Sequence, residues 1–194
     1  ITFVGAPEAV LEAAFQLAKS AVAQIDMREH RGAHARLGAV DVVPFVPIRD
    51  IDMKDCVELA RRLGRRVAED LGVPVYLYEY AATSPARQNL ADVRAGEYEG
   101  LAKKLEEPAW RPDFGERRFV ACSGATIVGA RKLLVAYNIN LNTLDKRLAN
   151  RVAFDVRERG RKKTGPGGAV LTNAHGEALW EPGLLKAVKA VGWT

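Results

Sequence analysis

The sequence is poor in cysteine and contains no long hydrophobic run. Its two cysteines, Cys56 and Cys122, lack C-x-x-C spacing, so we predict neither a disulfide framework nor a thiolate zinc site, and we expect a reducing, cytoplasmic setting. No apolar run approaches the roughly 20 residues that cross a bilayer, and no basic segment opens the chain. We therefore predict no spanning helix, no signal peptide and no membrane partner.

What the chain does contain is a composition typical of a folded domain. Apolar residues make up 48% and charged residues 27% of the 194 positions, which argues against disorder. Lys and Arg number 29 against 24 Asp and Glu, a net charge of +5, and this balance suits an anionic ligand as well as nucleic acid. The basic stretch 157–163 has no interleaved aromatic residue, so we predict no nucleic-acid partner.

The order of the first predicted elements indicates an α+β fold. The chain starts with Ile rather than Met, and residues 1–4 are typical of the end of a strand, so we expect the chain to begin inside an element of a longer protein. An α/β sandwich with helices packed on a sheet is predicted from this order. The spacing of apolar residues predicts a helix over 7–25, a loop over 26–38, a strand over 39–48, a helix over 53–71 and a strand over 75–78.

The second half of the chain shows a weaker pattern. The predicted elements there are short helices over 89–94 and 97–105, a short strand over 118–121, a long buried strand over 132–141, a helix capped by Thr143 and a short helix over 184–191.

The densest cluster of candidate catalytic side chains lies between His30 and Arg36. His30 and His34 are four residues apart, which on a helix would place both on one face as metal ligands, but Gly32 between them makes a helix doubtful. The segment can also be a solvated connection. A third alternative is a general base, because neutral imidazole is available at pH 7.

Two further segments could contact a ligand. The guanidinium of Arg87 could bind a carboxylate in two places, and Gly96 would allow close approach of the backbone; a capped surface helix is the alternative. Glycines at 115 and 124 flank a mixed segment, which suggests a sheet edge that meets a ligand or another backbone.

Eight collinear motifs cover most of residues 1–160. They are TFVGAPEAV, the segment IDM-x-x-H-x-G-x-H-x-R-x-GA-x-DV from Ile25 to Val42, PF-x-P-x-R, VPVYLY, P-x-RQ-x-L with RAGEYE, PDFG, GAT-x-x-GARK and NINL. With these motifs the sequence resembles the formiminotransferase family. A single motif would be weak evidence, but eight in family order are specific.

The resemblance implies an enzyme that transfers the formimino group from N-formimino-L-glutamate to tetrahydrofolate, in histidine degradation and one-carbon metabolism. It implies tetrahydrofolate as co-substrate and no metal. It places the catalytic base at His34 and puts five residues near the substrate groove: Arg36, Asp41, Arg87, Gly96 and Glu97. The folate-binding stretch falls on Gly115, Glu116, Arg117, Arg118, Phe119, Val120, Ala121, Cys122, Ser123 and Gly124.

The resemblance also implies the organisation of the chain. We expect a ferredoxin-like split βαβ subdomain over residues 1–133, with its first elements missing, and the truncated start of a second α/β subdomain over 134–194. A homodimer is expected. The sequence departs from the family at Ala33 and Ala35, where Glu and Pro are usual, and at Cys122–Ser123, where the family has Trp.

Two alternatives to this function stay open at the level of sequence. The protein could act on another folate one-carbon unit, such as 5-formyltetrahydrofolate. It could also be a folate-binding module without turnover, since Ala33 and Ala35 alter the loop that carries His34.

Overall fold

The computed structural model describes residues 1–32 and 34–192, which form two compact units, residues 1–135 and 136–194. The first unit contains the helices α1 Pro7–Gln24, α2 Met53–Leu71, α3 Leu90–Arg94 and α4 Glu97–Glu106, short 3-10 turns at Pro85–Arg87 and Pro108–Trp110, and the strands β1 Val42–Phe45, β2 Val75–Glu79 and β3 Thr126–Ala130. The second contains α5 Lys146–Val156, the strands β4 Arg161–Lys162 and β5 Trp180–Glu181, and a 3-10 turn at Pro166–Gly168.

The ends of the long helices follow local signals in the sequence. Pro7 occupies the first turn of α1, where its missing N–H costs nothing. Asp52 caps α2 by accepting from the backbone of Lys54 and Asp55, and the Asp55 side chain accepts from the Asp52 backbone in return. The helix ends at Gly72, whose φ of 66° is left-handed. The predictions for these two helices are confirmed.

A three-stranded parallel sheet in the order β1-β3-β2 forms the centre of the first unit. Strands β1 and β2 are joined through α2, yet β3 lies between them and pairs with both, so that Val128 is opposite Val43 on one side and Leu77 on the other. The first unit is therefore a mixed α/β unit with a parallel sheet. The finer, ferredoxin-like arrangement stays a prediction.

Both faces of this sheet are covered by helices. Along β2, Val75 and Leu77 pack with α1 and α2, whereas Tyr76 and Tyr78 pack with α3 and α4. This alternation follows from the two-residue period of a strand. It explains why the first four residues of β2 are all aliphatic or aromatic, as is usual for a parallel strand buried on both sides.

Two strand predictions in the first unit are wrong, and the central strand was missed. Residues 1–4 form no strand; Ile1 and Val4 are exposed. Residues 118–121 form no strand either, because the chain turns back there and Gly124 N–H donates to the Val120 carbonyl at 2.7 Å. The missed strand is β3, which is short and contains Gly129, a residue that weakens the sequence signal of a strand.

The predicted long buried strand over 132–141 is also wrong. The segment has no regular structure, and its large apolar side chains, among them Leu133, Val135, Tyr137 and Ile139, are exposed. A strand needs hydrogen-bonding neighbours as well as apolar residues, and no described strand pairs with this segment.

The second unit consists of α5 and a short hairpin. Asp145, not Thr143, caps α5 by accepting from the Arg147 backbone, and β4 pairs antiparallel with β5. The helix predicted over 184–191 is absent; Ala187 has a φ of 58°, which an α-helix does not allow. Across the residues that the structure describes, no helix is long and apolar enough to span a membrane.

Candidate functional site

The loop that carries His34 is bound to two other segments on the α3–α4 side of the sheet. We call residues 26–41 the histidine loop, residues 94–99 the glycine turn and residues 119–125 the strand lead, since they precede β3. The backbone of Met27 donates to the Cys122 carbonyl at 2.9 Å. The backbone of Tyr98 donates to the Arg36 carbonyl, also at 2.9 Å. Segments that are far apart in sequence thus form one surface.

Two glycines allow the histidine loop to cross the strand lead in direct backbone contact. A Cβ atom on Gly38 would lie 2.4 Å from the Ser123 carbonyl oxygen, and one on Gly124 would lie 2.3 Å from the Leu37 carbonyl oxygen. Gly124 also has a φ of 67°, which disfavours any other residue. Of the two partners that the sequence left open for Gly124, a ligand or another backbone, the structure shows the backbone.

Arg36 anchors the histidine loop to α4. Its guanidinium donates to both carboxylate oxygens of Glu99, at 2.6 and 2.9 Å, and to Glu97 at 3.3 Å. The Arg36 side chain is only 10% exposed, so this two-point contact is sheltered from water. The hydrogen bonds from Arg36 lower the pKa of Glu99 to about 2.

Asp41 holds the C-terminal end of the histidine loop. Its carboxylate accepts from the Leu37 backbone at 3.0 Å and from the Arg94 guanidinium, while its own carbonyl accepts from Ile127 of β3 at 3.0 Å. Asp41 and Arg94 are both mostly buried. Two residues of the histidine loop that follow His34, Arg36 and Asp41, are therefore tied to side chains outside the loop.

His34 lies two residues before Arg36, and its side chain is exposed. Its Nδ1 is 2.7 Å from the carbonyl oxygen of Ala35. Because a carbonyl oxygen only accepts, Nδ1 carries the proton in this bond, and the basic lone pair of the neutral ring is on Nε2. The geometry therefore selects one tautomer. Ala33, one of the sequence departures, is outside the described residues.

The glycine turn has an unusual backbone. Gly96 and Glu97 have consecutive positive φ angles of 86° and 54°, so the chain reverses sharply between α3 and α4. Lys104 of α4 binds the end of α3: its ammonium group donates to the carbonyls of Asp92, Val93 and Ala95 at 3.1, 2.6 and 3.0 Å. The same ammonium group lies 4.0 Å from the centre of the Trp110 ring. Burial lowers the pKa of Lys104.

The predicted folate stretch is divided between two places. Its second half, from Phe119 to Gly124, belongs to the strand lead beside the histidine loop. In its first half, Gly115 packs against α2 and the backbone before β2, and Arg117 donates to the carbonyls of Leu105 and Glu106 at the end of α4. Ser123 is buried, and its hydroxyl has no hydrogen-bond partner among the described residues.

Arg87 lies in a separate cluster. Its guanidinium donates to Asp113 at 2.5 Å and to the carbonyls of Arg111 and Ala109 at 2.6 and 3.1 Å. Both charged side chains are less than 10% exposed. These contacts fix the segment before the strand lead, whereas contact of Arg87 with substrate stays a prediction.

Four residues that form this surface were not selected from the sequence: Arg94, Tyr98, Glu99 and Lys104. Three of them lie in or beside the motif RAGEYE, which drew attention only to Gly96 and Glu97. No signal in the sequence shows that their partners are Asp41, Arg36 and the strand lead, because these are 23 to 63 positions away.

Metal ligation and overall charge do not single out this surface. Within 1–32 and 34–192, no three His, Cys, Asp or Glu side chains are grouped closely enough to hold a metal ion. Residues 1–135 contain nineteen Lys and Arg and nineteen Asp and Glu, so the net charge of +5 lies entirely in residues 136–194, with ten against five. The global charge is thus no guide to the charge around His34.

Comparison with known proteins gives consistent matches along the chain. Residues 1–131 match the family model described as "Formiminotransferase domain, N-terminal subdomain", and residues 136–194 match "Formiminotransferase domain". The chain is 48% identical to formimidoyltransferase-cyclodeaminase of Rattus norvegicus and 50% identical to that of Gallus gallus, over 192 residues in each case. It is 48% identical to glutamate formimidoyltransferase of Streptococcus pyogenes serotype M1 over 159 residues.

The chain corresponds to only part of each of these proteins. The alignments with the rat and chicken proteins cover 99% of this chain and 32% of those proteins. The alignment with the streptococcal protein covers 82% of this chain and 53% of that protein.

Proposed function

Because the chain belongs to the formiminotransferase family, we propose that it carries the catalytic base of a formimino transfer from N-formimino-L-glutamate to tetrahydrofolate. The observation that carries this proposal is His34: an exposed imidazole in an anchored loop, with Nδ1 bonded to the Ala35 carbonyl. The names of the relatives that match the chain support the reaction class.

The reaction needs a group that takes up and returns a proton. A ring nitrogen of tetrahydrofolate attacks the amidine carbon of formiminoglutamate and loses its proton as the tetrahedral intermediate forms. Nε2 of His34 accepts that proton and then donates it to the departing glutamate amine, as the C–N bond to glutamate breaks. Positioned proton transfer of this kind typically contributes about 10² to 10⁴ in rate.

The remaining rate acceleration must come from positioning. The ties of Arg36 to Glu99 and of Asp41 to Leu37 and Arg94 supply it for the histidine loop, because they fix the residues that follow His34. In this proposal Arg36 and Asp41 act through the loop.

For the substrates, we propose that tetrahydrofolate lies along the strand lead, part of the stretch Gly115–Gly124. Arg87, Gly96 and Glu97 remain proposed groove residues. A homodimer, a ferredoxin-like topology and a division near residue 133 complete the proposal and follow from the resemblance alone. A cytoplasmic setting is proposed from the low cysteine content.

The test is the release of glutamate from formiminoglutamate and tetrahydrofolate by the purified protein, with two histidine variants. His34→Ala is expected to lower kcat by about 10² to 10⁴. His30→Ala, in the same loop and also exposed, is the matched control and is expected to keep activity near that of the wild type. Equal activity of His34→Ala and wild type would rule out His34 as the base.

The same assay separates the two alternative functions. Turnover with 5-formyltetrahydrofolate but not with formiminoglutamate would assign another one-carbon unit. Binding of tetrahydrofolate without any turnover would indicate a folate-binding module.

A further inference from the structure

The glycine turn lies between the histidine loop and the strand lead and bonds to both through adjacent residues. Tyr98 and Glu99 follow directly after Gly96 and Glu97, at the start of α4. In the proposed function the histidine loop carries the base, and the strand lead contacts tetrahydrofolate. A single turn of chain therefore contacts the base side and the folate side of the reaction.

Glu99 bonds to the base side. Its carboxylate accepts hydrogen bonds from both terminal guanidinium nitrogens of Arg36, two residues after His34, at 2.6 and 2.9 Å. The Arg36 side chain is 10% exposed, whereas that of Glu99 is 59% exposed. Water can therefore solvate the Glu99 carboxylate, but the buried Arg36 guanidinium needs Glu99 to compensate its charge. Removal of the carboxylate leaves a mostly buried guanidinium with the weaker 3.3 Å contact to Glu97.

Tyr98 contacts both sides: the Arg36 guanidinium lies 5.9 Å from the centre of its ring, and its hydroxyl bonds to the folate side. Its hydroxyl donates to the Ala121 carbonyl at 2.6 Å, and its ring lies 5.5 Å from the ring of Phe119, centre to centre. Its backbone N–H donates to the Arg36 carbonyl. Loss of the hydroxyl alone would therefore remove the side-chain bond to Ala121 of the strand lead and leave the backbone tie to the histidine loop in place.

The turn can hold these two residues in register because its own geometry is fixed. The consecutive positive φ angles at Gly96 and Glu97 determine the direction in which α4 starts. Lys104, one and a half turns further along α4, binds three carbonyls of the α3 end. The relative position of Tyr98 and Glu99 is thus set by contacts that neither side chain makes.

We propose that Tyr98 and Glu99 are positioning residues that couple the two halves of the site: Glu99 orients the loop of the catalytic base through Arg36, and Tyr98 orients the folate-contacting stretch through the Ala121 carbonyl. This inference rests on the proposed function. It assigns the two residues different kinetic effects, which a general loss of structure would not produce.

The experiment measures kcat and KM for tetrahydrofolate in Glu99→Gln and Tyr98→Phe. Glu99→Gln is expected to lower kcat by about 10- to 100-fold with KM little changed, because a charge-assisted bond that positions the base is lost. Tyr98→Phe is expected to raise KM by about 2- to 12-fold with kcat near the wild-type value, the equivalent of one neutral hydrogen bond.

Two matched controls repeat the chemical changes where no side-chain bond is lost. Glu106→Gln lies on the same helix, and Tyr80→Phe lies just after β2. Both side chains are exposed, and no hydrogen bond of either is present among the described residues. Both controls are expected to match the wild type. Equal effects in Glu99→Gln and Glu106→Gln, or parallel changes in kcat and KM in Tyr98→Phe, would overturn the proposal.

A second measurement distinguishes failure of this proposal from failure of the proposed function. Amide hydrogen exchange reports the ties directly: the Met27 amide, bonded to Cys122 of the strand lead, is expected to exchange faster in Tyr98→Phe, and the Tyr98 amide, bonded to Arg36, faster in Glu99→Gln. If the wild type shows no transfer and no binding of tetrahydrofolate, the proposed function fails. Unchanged exchange in both variants overturns the coupling whether or not the wild type is active.

Discussion

Replacement of Arg87 by methionine is expected to destabilise the first unit strongly. The Arg87 guanidinium bonds to the Asp113 carboxylate and to two backbone carbonyls, and the two side chains are 8% and 7% exposed. Methionine fills much of the same volume but leaves the Asp113 carboxylate buried without its counter-charge. The perturbation therefore isolates the charge and the hydrogen bonds of Arg87.

The expected size follows from the burial of the pair. Removal of one partner of a buried ion pair costs about 3 to 5 kcal/mol, since the remaining charge is uncompensated. Total stabilities of natural domains are about 5 to 15 kcal/mol, so much of the stability of the first unit is at stake. Arg87→Lys keeps a charge but cannot reach both carbonyls and the carboxylate with a planar fork, and we expect it to cost about 1 to 3 kcal/mol.

Urea unfolding, followed by circular dichroism, measures this change. With a slope of about 2 kcal/mol per M, Arg87→Met is expected to lower the midpoint by about 2 M. Exchange of the Leu77 amide, which donates to Asp113 at 2.8 Å, gives a local measure within β2. Arg118→Met is the control: its ion pair with Glu116 is 64% and 80% exposed, and we expect a change within about 1 kcal/mol.

Two results would refute this reasoning about Arg87. A midpoint for Arg87→Met close to that of Arg118→Met would show that the buried pair contributes little. Normal stability combined with a large loss of affinity for formiminoglutamate would instead show that Arg87 contacts substrate, as the sequence resemblance implies.

Three further predictions concern the same unit. Gly124→Ala is expected to cost about 2 to 5 kcal/mol in unfolding free energy, because the left-handed φ disfavours alanine and its Cβ would meet the Leu37 carbonyl at 2.3 Å. Gly100→Ala, at a position with open space, is the comparison in the same urea assay. Equal midpoints for the two variants would contradict the prediction. Lys104→Met is expected to cost about 1 to 3 kcal/mol, since three carbonyls lose their donor; unchanged exchange of the α4 amides would contradict it. Burial raises the pKa of Tyr76 from 10.0 to about 12, so the stability contributed by its protonated hydroxyl is fully present below pH 10 and is lost as the pH rises through about 12. A Tyr76→Phe variant is expected to lose less stability over this range. Identical pH dependence of the two proteins would contradict the assignment of this loss to Tyr76.

Local sequence signals were sufficient for the elements that are determined within one or two turns of chain. Pro7, the Asp52–Asp55 capping box and Gly72 mark helix ends, because each satisfies or ends a helix through neighbours in sequence. The short helices α3 and α4 were predicted within about a residue for the same reason. His34 and Gly124 were candidates from the local pattern, and the resemblance assigned them to the catalytic base and to the folate-binding stretch, roles that stay proposals.

The sheet could not be derived in this way. Strand β3 has five residues, one of them Gly129, and a Cβ there would lie 2.5 Å from the Tyr78 carbonyl. The feature that weakens β3 as a sequence pattern is thus the one that lets it pack against its neighbour. Conversely, residues 132–141 have the composition of a buried strand but no described strand beside them, since composition does not specify a partner.

By itself the sequence determined the ends and the apolar faces of α1 and α2 and the family, all of which depend on residue types at short or fixed spacing. Only the tertiary structure decided that Arg36 is bound by Glu99, that Asp41 is bound by Arg94, and that the folate stretch divides between two places. These contacts join residues 12 to 63 positions apart. Their geometry exists only after the chain has folded, because the sheet and the glycine turn bring their partners within hydrogen-bonding distance.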